Sequence, residues 1–153
     1  MVECVTESAE ETRALGERIG VVVASGDVIL LSGGLGAGKT TFVQGVARGM
    51  GIMDPVTSPT FTLIQEYAGG SQRLVHIDPY RLASEEDLLG IGFEEYLERS
   101  DVLAVEWGER LGSLVPQERL EVRLDRLDGD RRRVLLTPRG LRYEELLQLV
   151  EPC

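Results

Sequence analysis

The chain has 153 residues, of which 42% are hydrophobic and 27% charged, and its formal net charge is -10. This is the size and balance of one globular domain, which excludes disorder caused by low hydrophobicity, and the negative charge argues against a large direct footprint on RNA or DNA. No stretch is apolar for the roughly 18 residues of a membrane helix, and acids stand near the start where a secretion signal would carry lysines, so a cytoplasmic protein is expected.

Cys4 and Cys153 stand at opposite ends of the chain without metal-ligand spacing, and free thiols are expected of them. Ser8 followed three residues later by Glu11 is a capping-box pattern. It predicts a helix that presents Leu15, Ile19 and Val22 on one face and is ended by Gly26. Val28-Ile29-Leu30-Leu31 reads as a short strand. Residues 39–49 read as a helix with Phe42, Val43, Val46 and Ala47 inward and Gly49 or Gly51 as the stop.

Between that strand and helix lies Gly33-Gly34-Leu35-Gly36-Ala37-Gly38-Lys39-Thr40-Thr41. Gly33, Gly38, Lys39 and Thr40 fit the spacing G-x-x-x-x-G-K-T, in the strand–loop–helix context that a phosphate-binding loop requires. Glycines let consecutive backbone N–H groups converge on phosphate oxygens, and the helix start adds partial positive charge. Leu35, Gly36, Ala37, Gly38, Lys39, Thr40 and Thr41 are therefore the candidate nucleotide-binding residues. Lys39 is expected on the β- and γ-phosphates and the Thr40 hydroxyl on Mg²⁺.

Residues 54–60 are too rich in proline to be helical. They lead into a predicted hairpin: a strand over 61–67, the turn Ala68-Gly69-Gly70-Ser71, and a strand over 73–77 that ends at Asp78. Ser84 with Asp87 predicts a short capped helix, residues 93–99 a further one, and Val102-Leu103-Ala104-Val105 a buried strand ending at Glu106-Trp107. From Glu118 apolar and polar residues alternate, with Leu120, Val122 and Leu124 on one face. Asp128-Gly129 then turns the chain into a strand over 132–137, a second antiparallel hairpin. Tyr143, Leu146, Leu147 and Val150 mark a final amphipathic helix.

Two apolar runs end in carboxylates, at Asp78 and at Glu106, where ligands of open α/β sheets collect. A nucleotide hydrolase needs an acid there to hold the magnesium shell or position water, so both join Lys39 as candidate catalytic residues. Thr60, in Ser58-Pro59-Thr60-Phe61, either places a hydroxyl near the γ-phosphate as a nucleotide-dependent switch or only starts a strand after proline. Trp107 by itself reads as a packing residue. His76 reads as a core histidine, or one supporting a site residue, rather than a metal ligand. Arg131-Arg132-Arg133 reads as the solvated end of the second hairpin.

Four blocks now stand in order: Gly33 through Phe42, Ser58-Pro59-Thr60-Phe61-Thr62, His76-Ile77-Asp78-Pro79-Tyr80-Arg81-Leu82, and Glu106-Trp107. Together they resemble the bacterial TsaE (YjeE) ATPases of tRNA threonylcarbamoyladenosine synthesis. The resemblance implies an α/β fold, a three-layer P-loop NTPase sandwich whose mixed central sheet contains antiparallel strands, here forming one domain over 1–153. It implies an ATPase that takes ATP as substrate and Mg²⁺ as cofactor. Its partners would be the TsaB and TsaD proteins, which modify adenosine 37 of tRNAs reading codons that begin with A.

By position, the resemblance makes Thr40 and Glu106 magnesium ligands and Asp78 a support for the metal or the attacking water. It places Thr60 in a switch loop and brings Trp107 and Ala9 close to the nucleotide. Gly34 departs from the family, which commonly carries an acid there, and the freer backbone of glycine lowers loop stiffness. The acidic charge fits a chain that meets tRNA through its complex, and a monomer is expected when it is free. Rival readings are a small-molecule kinase, for which Arg81 is the one nearby arginine, and an ATP-gated scaffold without hydrolysis. A GTP switch is disfavoured because no Asn-Lys-x-Asp segment occurs.

Overall fold

A computed structural model of the chain describes residues 1–59, 63–70, 72–79, 82, 84–106, 108–150 and 153. Thirteen elements follow in order: β1 (Val2–Thr6), α1 (Ala9–Val22), β2 (Val28–Ser32), α2 (Lys39–Gly49), β3 (Ile64–Ala68), β4 (Arg73–Ile77), α3 (Glu85–Gly90), α4 (Phe93–Glu98), β5 (Val102–Glu106), a 3-10 segment (Gly108–Leu114), β6 (Arg119–Arg126), β7 (Arg132–Arg139) and α5 (Leu141–Val150). The strands form a seven-stranded sheet in the order β1-β7-β6-β2-β5-β4-β3. β6, β2, β5 and β4 are mutually parallel neighbours, while β3 pairs antiparallel with β4 and the β6–β7–β1 edge is antiparallel. The mixed sheet and both hairpins match the expected α/β fold.

Parallel strands buried on two faces read as near-continuous apolar runs, and β2 and β5 do so up to the polar residue that ends each: Val28 to Leu31 and Val102 to Val105 are all buried. Strand alternation divides these side chains between the two faces. Ile29, Leu31, Ala104, Leu120, Val122 and Val134 meet buried residues of α1, α2 and α5, such as Ile19, Phe42 and Leu146. Val28, Leu30, Val75, Leu103 and Val105 meet Leu88 of α3, Phe93 of α4 and Leu111 of the 3-10 segment. Helices therefore cover both sides of the sheet in three layers. Among the described residues, no helix is long and apolar enough to cross a membrane.

Close contact between α1 and α2 fixes where the glycine-rich segment before α2 sits. Gly16 and Gly20 on α1 face Gly45 and Gly49 on α2, and a Cβ at any of the four would stand 2.0–2.3 Å from a carbonyl oxygen of the opposite helix. Glycine in a helix interior costs about 1 kcal/mol against alanine; here it lets the two backbones touch. Gly45→Ala is expected to destabilise the fold by about 1–3 kcal/mol through overpacking against Arg13. A urea midpoint equal to that of the parent would refute this account of the seam.

Several boundaries differ from the sequence reading. α1 stops at Val22 rather than running to Gly26, because Val23 turns extended at φ -64, ψ 151. Arg142 holds that end from α5, donating to Val22 O at 3.1 Å and to both Asp27 carboxylate oxygens at 3.1 and 2.7 Å. β3 begins at Ile64, since Leu63 has a φ of 68, and the earlier part of the expected strand, Phe61 and Thr62, lies outside the described residues. β1 was not expected; it is a five-residue edge strand whose partner β7 lies at the other end of the chain. The free thiols are also corrected. β1 and the chain end bring Cys4 and Cys153 to a Cα separation of 5.8 Å, and the two form a disulfide. Sequence separation concealed a neighbour relation that the sheet creates.

Candidate functional site

The parallel register aligns three strand ends. Leu31 pairs with Glu106, and Ile77 pairs with Val105, so the loop after β2, the acid ending β5 and Asp78 after β4 meet at one edge of the sheet. Gly33 leaves β2 with a φ of +142, and a Cβ there would stand 2.3 Å from Leu124 O of β6. Gly38, at φ +104, caps α2 without a side chain. The first N–H groups of a helix have no acceptor within it, and those of α2 begin at the edge of this opening.

Residues 35–41, together with Ser58, Asp78, Glu106 and Arg132, line a cleft of about 440 Å³. This lies within the range of about 300–1,000 Å³ typical of small-molecule sites. Lys39, 6% exposed, donates from Nζ to Gly33 O at 2.7 Å and Gly34 O at 3.4 Å. Asp78 and Glu106 are each 3% exposed, and the Asp78 N–H donates to Leu63 O at 2.9 Å. The Leu35 side chain is 96% exposed at the loop tip, which leaves its backbone as the part available to a ligand. Ala9 is not in the main cleft; it borders an adjoining hollow of about 30 Å³ with Gly38, Thr41 and Arg132. Thr60, Arg81 and Trp107 lie outside the described residues.

Arg132 was misread as a solvated hairpin residue. Its Nε donates to Ala37 O at 3.0 Å and its second terminal nitrogen to Gly36 O at 3.2 Å, so the guanidinium clasps the glycine-rich loop from β7. Arg131 and Arg133 do face outward, pairing with Glu7 and Asp128 and with Glu3 respectively. The signal that separates them was present in the strand period: 132, 134 and 136 share a face, and Val134 and Leu136 are buried in the core beneath the helices. His76 is fully buried, with Nε2 2.5 Å from Glu106 Oε2.

Among the described residues no group of three or more His, Cys, Asp or Glu side chains could cage a metal. Magnesium does not need such a cage, because it keeps several waters and takes one or two protein oxygens plus phosphate. Thr40, Asp78 and Glu106, hard oxygen donors around one cleft, suit that chemistry.

The chain matches the family model for "Threonylcarbamoyl adenosine biosynthesis protein TsaE" over residues 6–134. It is 43% identical over 143 residues to the tRNA threonylcarbamoyladenosine biosynthesis protein TsaE of Bacillus subtilis (strain 168), covering 94% of this chain and 89% of the relative. It is 44% identical over 131 residues to the protein of the same name from Treponema pallidum (strain Nichols), covering 85% of this chain and 96% of the relative. Among solved structures, the Bacillus subtilis YdiB crystal structure superposes with a TM-score of 0.85 at 37% identity, over 98% of this chain and 93% of that one.

Proposed function

The chain belongs to the TsaE family of threonylcarbamoyladenosine biosynthesis proteins, and from that premise we propose that it binds ATP with Mg²⁺ in the cleft and hydrolyses it to ADP and phosphate. The hydrolysis serves an assembly with TsaB and TsaD that modifies adenosine 37 of tRNA. The observation carrying this reading is the convergence of the glycine loop, Lys39, Thr40, Asp78 and Glu106 on one cleft.

The chain's own groups divide the work. Loop and helix N–H groups take phosphate oxygens, aided by the partial positive charge at the start of α2. Lys39, now donating to loop carbonyls, transfers its ammonium to the β- and γ-phosphates. Thr40 and Glu106 would hold Mg²⁺, which when bound would supply positive charge against the phosphate oxygens. Asp78, at the neighbouring strand end, orients the attacking water. Ala9, at the adjoining hollow, would flank the nucleotide, and the family resemblance assigns the same role to Trp107 and a switch role to Thr60.

A formal charge of -10 repels a tRNA backbone, so the partners hold the tRNA. A partner also completes the catalytic geometry, which makes hydrolysis by the isolated chain slow. The test is phosphate release from ATP by the chain alone and with TsaB and TsaD. A marked rise with the partners is expected; an unchanged rate would remove them from the mechanism.

Arg132 stiffens a loop that four glycines, Gly33, Gly34, Gly36 and Gly38, leave loose. Arg132→Ala is expected to weaken ADP binding about tenfold, the equivalent of about 1.4 kcal/mol. Fluorescence titration with a labelled ADP measures this, and parent-like affinity would confine Arg132 to a role in the resting loop.

A further inference from the structure

His76 is the chain's only histidine, and it sits fully buried on β4 beside the cleft. The parallel register sets it directly across from Ala104 of β5. Strand alternation puts Ala104 and Glu106 on the same side of the sheet. A methyl group at 104 leaves room beside it for an imidazole, which extends past Ala104 to bring Nε2 within 2.5 Å of Glu106 Oε2. Among the described residues His76 Nδ1, His76 Nε2 and Glu106 Oε2 are buried without a hydrogen-bond partner, and the close Nε2–Oε2 approach is the one charged contact between them. Buried polar atoms are costly unless matched, so each of the two facing atoms depends on the other.

We propose that His76 is a positioning residue: it pins the Glu106 carboxylate through Nε2 and Oε2 so that the other oxygen is presented to the divalent cation accompanying the nucleotide. The inference rests on the reading of Glu106 as a magnesium ligand. Ligating carboxylates held by a neighbouring side chain lose affinity for the metal when that neighbour is removed. A register that places the small Ala104 opposite His76, one step before the acid, is the local device that makes the contact.

The experiment measures Mn²⁺ binding to the ADP-loaded protein by electron paramagnetic resonance, beside binding of labelled ADP without metal. His76→Ala and His76→Asn are expected to weaken Mn²⁺ binding about tenfold and to leave metal-free ADP binding unchanged. His76→Gln, whose amide nitrogen reaches the place of Nε2, is expected to recover most of the loss. Parent-like Mn²⁺ binding in His76→Ala, or equal behaviour of the Asn and Gln variants, overturns the proposal. Glu106→Gln separates the two readings. If it weakens Mn²⁺ binding while His76→Ala does not, only the positioning role fails; if it leaves Mn²⁺ binding intact, Glu106 is not a ligand and both fail. Should His76→Ala not fold, the Asn and Gln pair decides the matter in folded protein.

Discussion

Lys39→Ala is expected to lower phosphate release by about 10²–10³-fold, on the order of 3–4 kcal/mol, because a charge placed where the transition state gathers negative charge is lost. The reasoning is local. Lys39 is 6% exposed and its ammonium donates to Gly33 O and Gly34 O, so it stands at the loop before any nucleotide arrives. The sequence offers an independent readout, since Lys39 is the chain's only lysine. An amine-selective acylating reagent therefore has two targets, this side chain and the α-amino group. Mg-ATP is expected to shield the first and leave the second unchanged, as mass spectrometry of the peptides would report. Equal labelling of Lys39 with and without ATP would falsify the placement of phosphate over this residue.

Glu106→Gln and Asp78→Asn are expected to fail differently. Both acids are 3% exposed, and each amide keeps the volume of its carboxylate, so the losses read chemistry rather than packing. Glu106→Gln should raise the Mg²⁺ concentration for half-maximal turnover by about tenfold or more. Asp78→Asn should leave that concentration alone and lower the rate at saturating Mg²⁺ by about 10²-fold, the usual contribution of a positioned base. Release equal to the parent in both variants would take both acids out of the mechanism and favour a nucleotide-gated scaffold. Interchanged results would exchange their roles.

Much of the site could be read from local pattern. The loop at Gly33 to Thr41, expected to take phosphate, announces itself because the spacing G-x-x-x-x-G-K-T lies within one contiguous segment. Asp78 and Glu106 stood out because an apolar run ended by a carboxylate is a one-dimensional feature. Arg132 did not, although its strand phase was legible, because nothing local shows that β7 passes the loop through Gly36 and Ala37. The end of α1 was misplaced for a similar reason: Gly26 is the obvious stop, but Arg142, from the far end of the chain, holds Val22 O and sets the end earlier.

The sequence alone determined the elements whose signals are periodic or contiguous: the capped helices at Ser8 and Ser84, the buried strands, both hairpins and the glycine-rich turn from β2 into α2. Tertiary structure decided what depends on which distant segments become neighbours. It paired β1 with β7, joined Cys4 to Cys153, brought Gly16 and Gly20 against Gly45 and Gly49, and set His76 on Glu106. The physical reason is that hydrogen-bond period and side-chain polarity act over a few residues along the chain. Strand order and helix approach instead follow from burying all the apolar faces at once, a condition that no single segment carries.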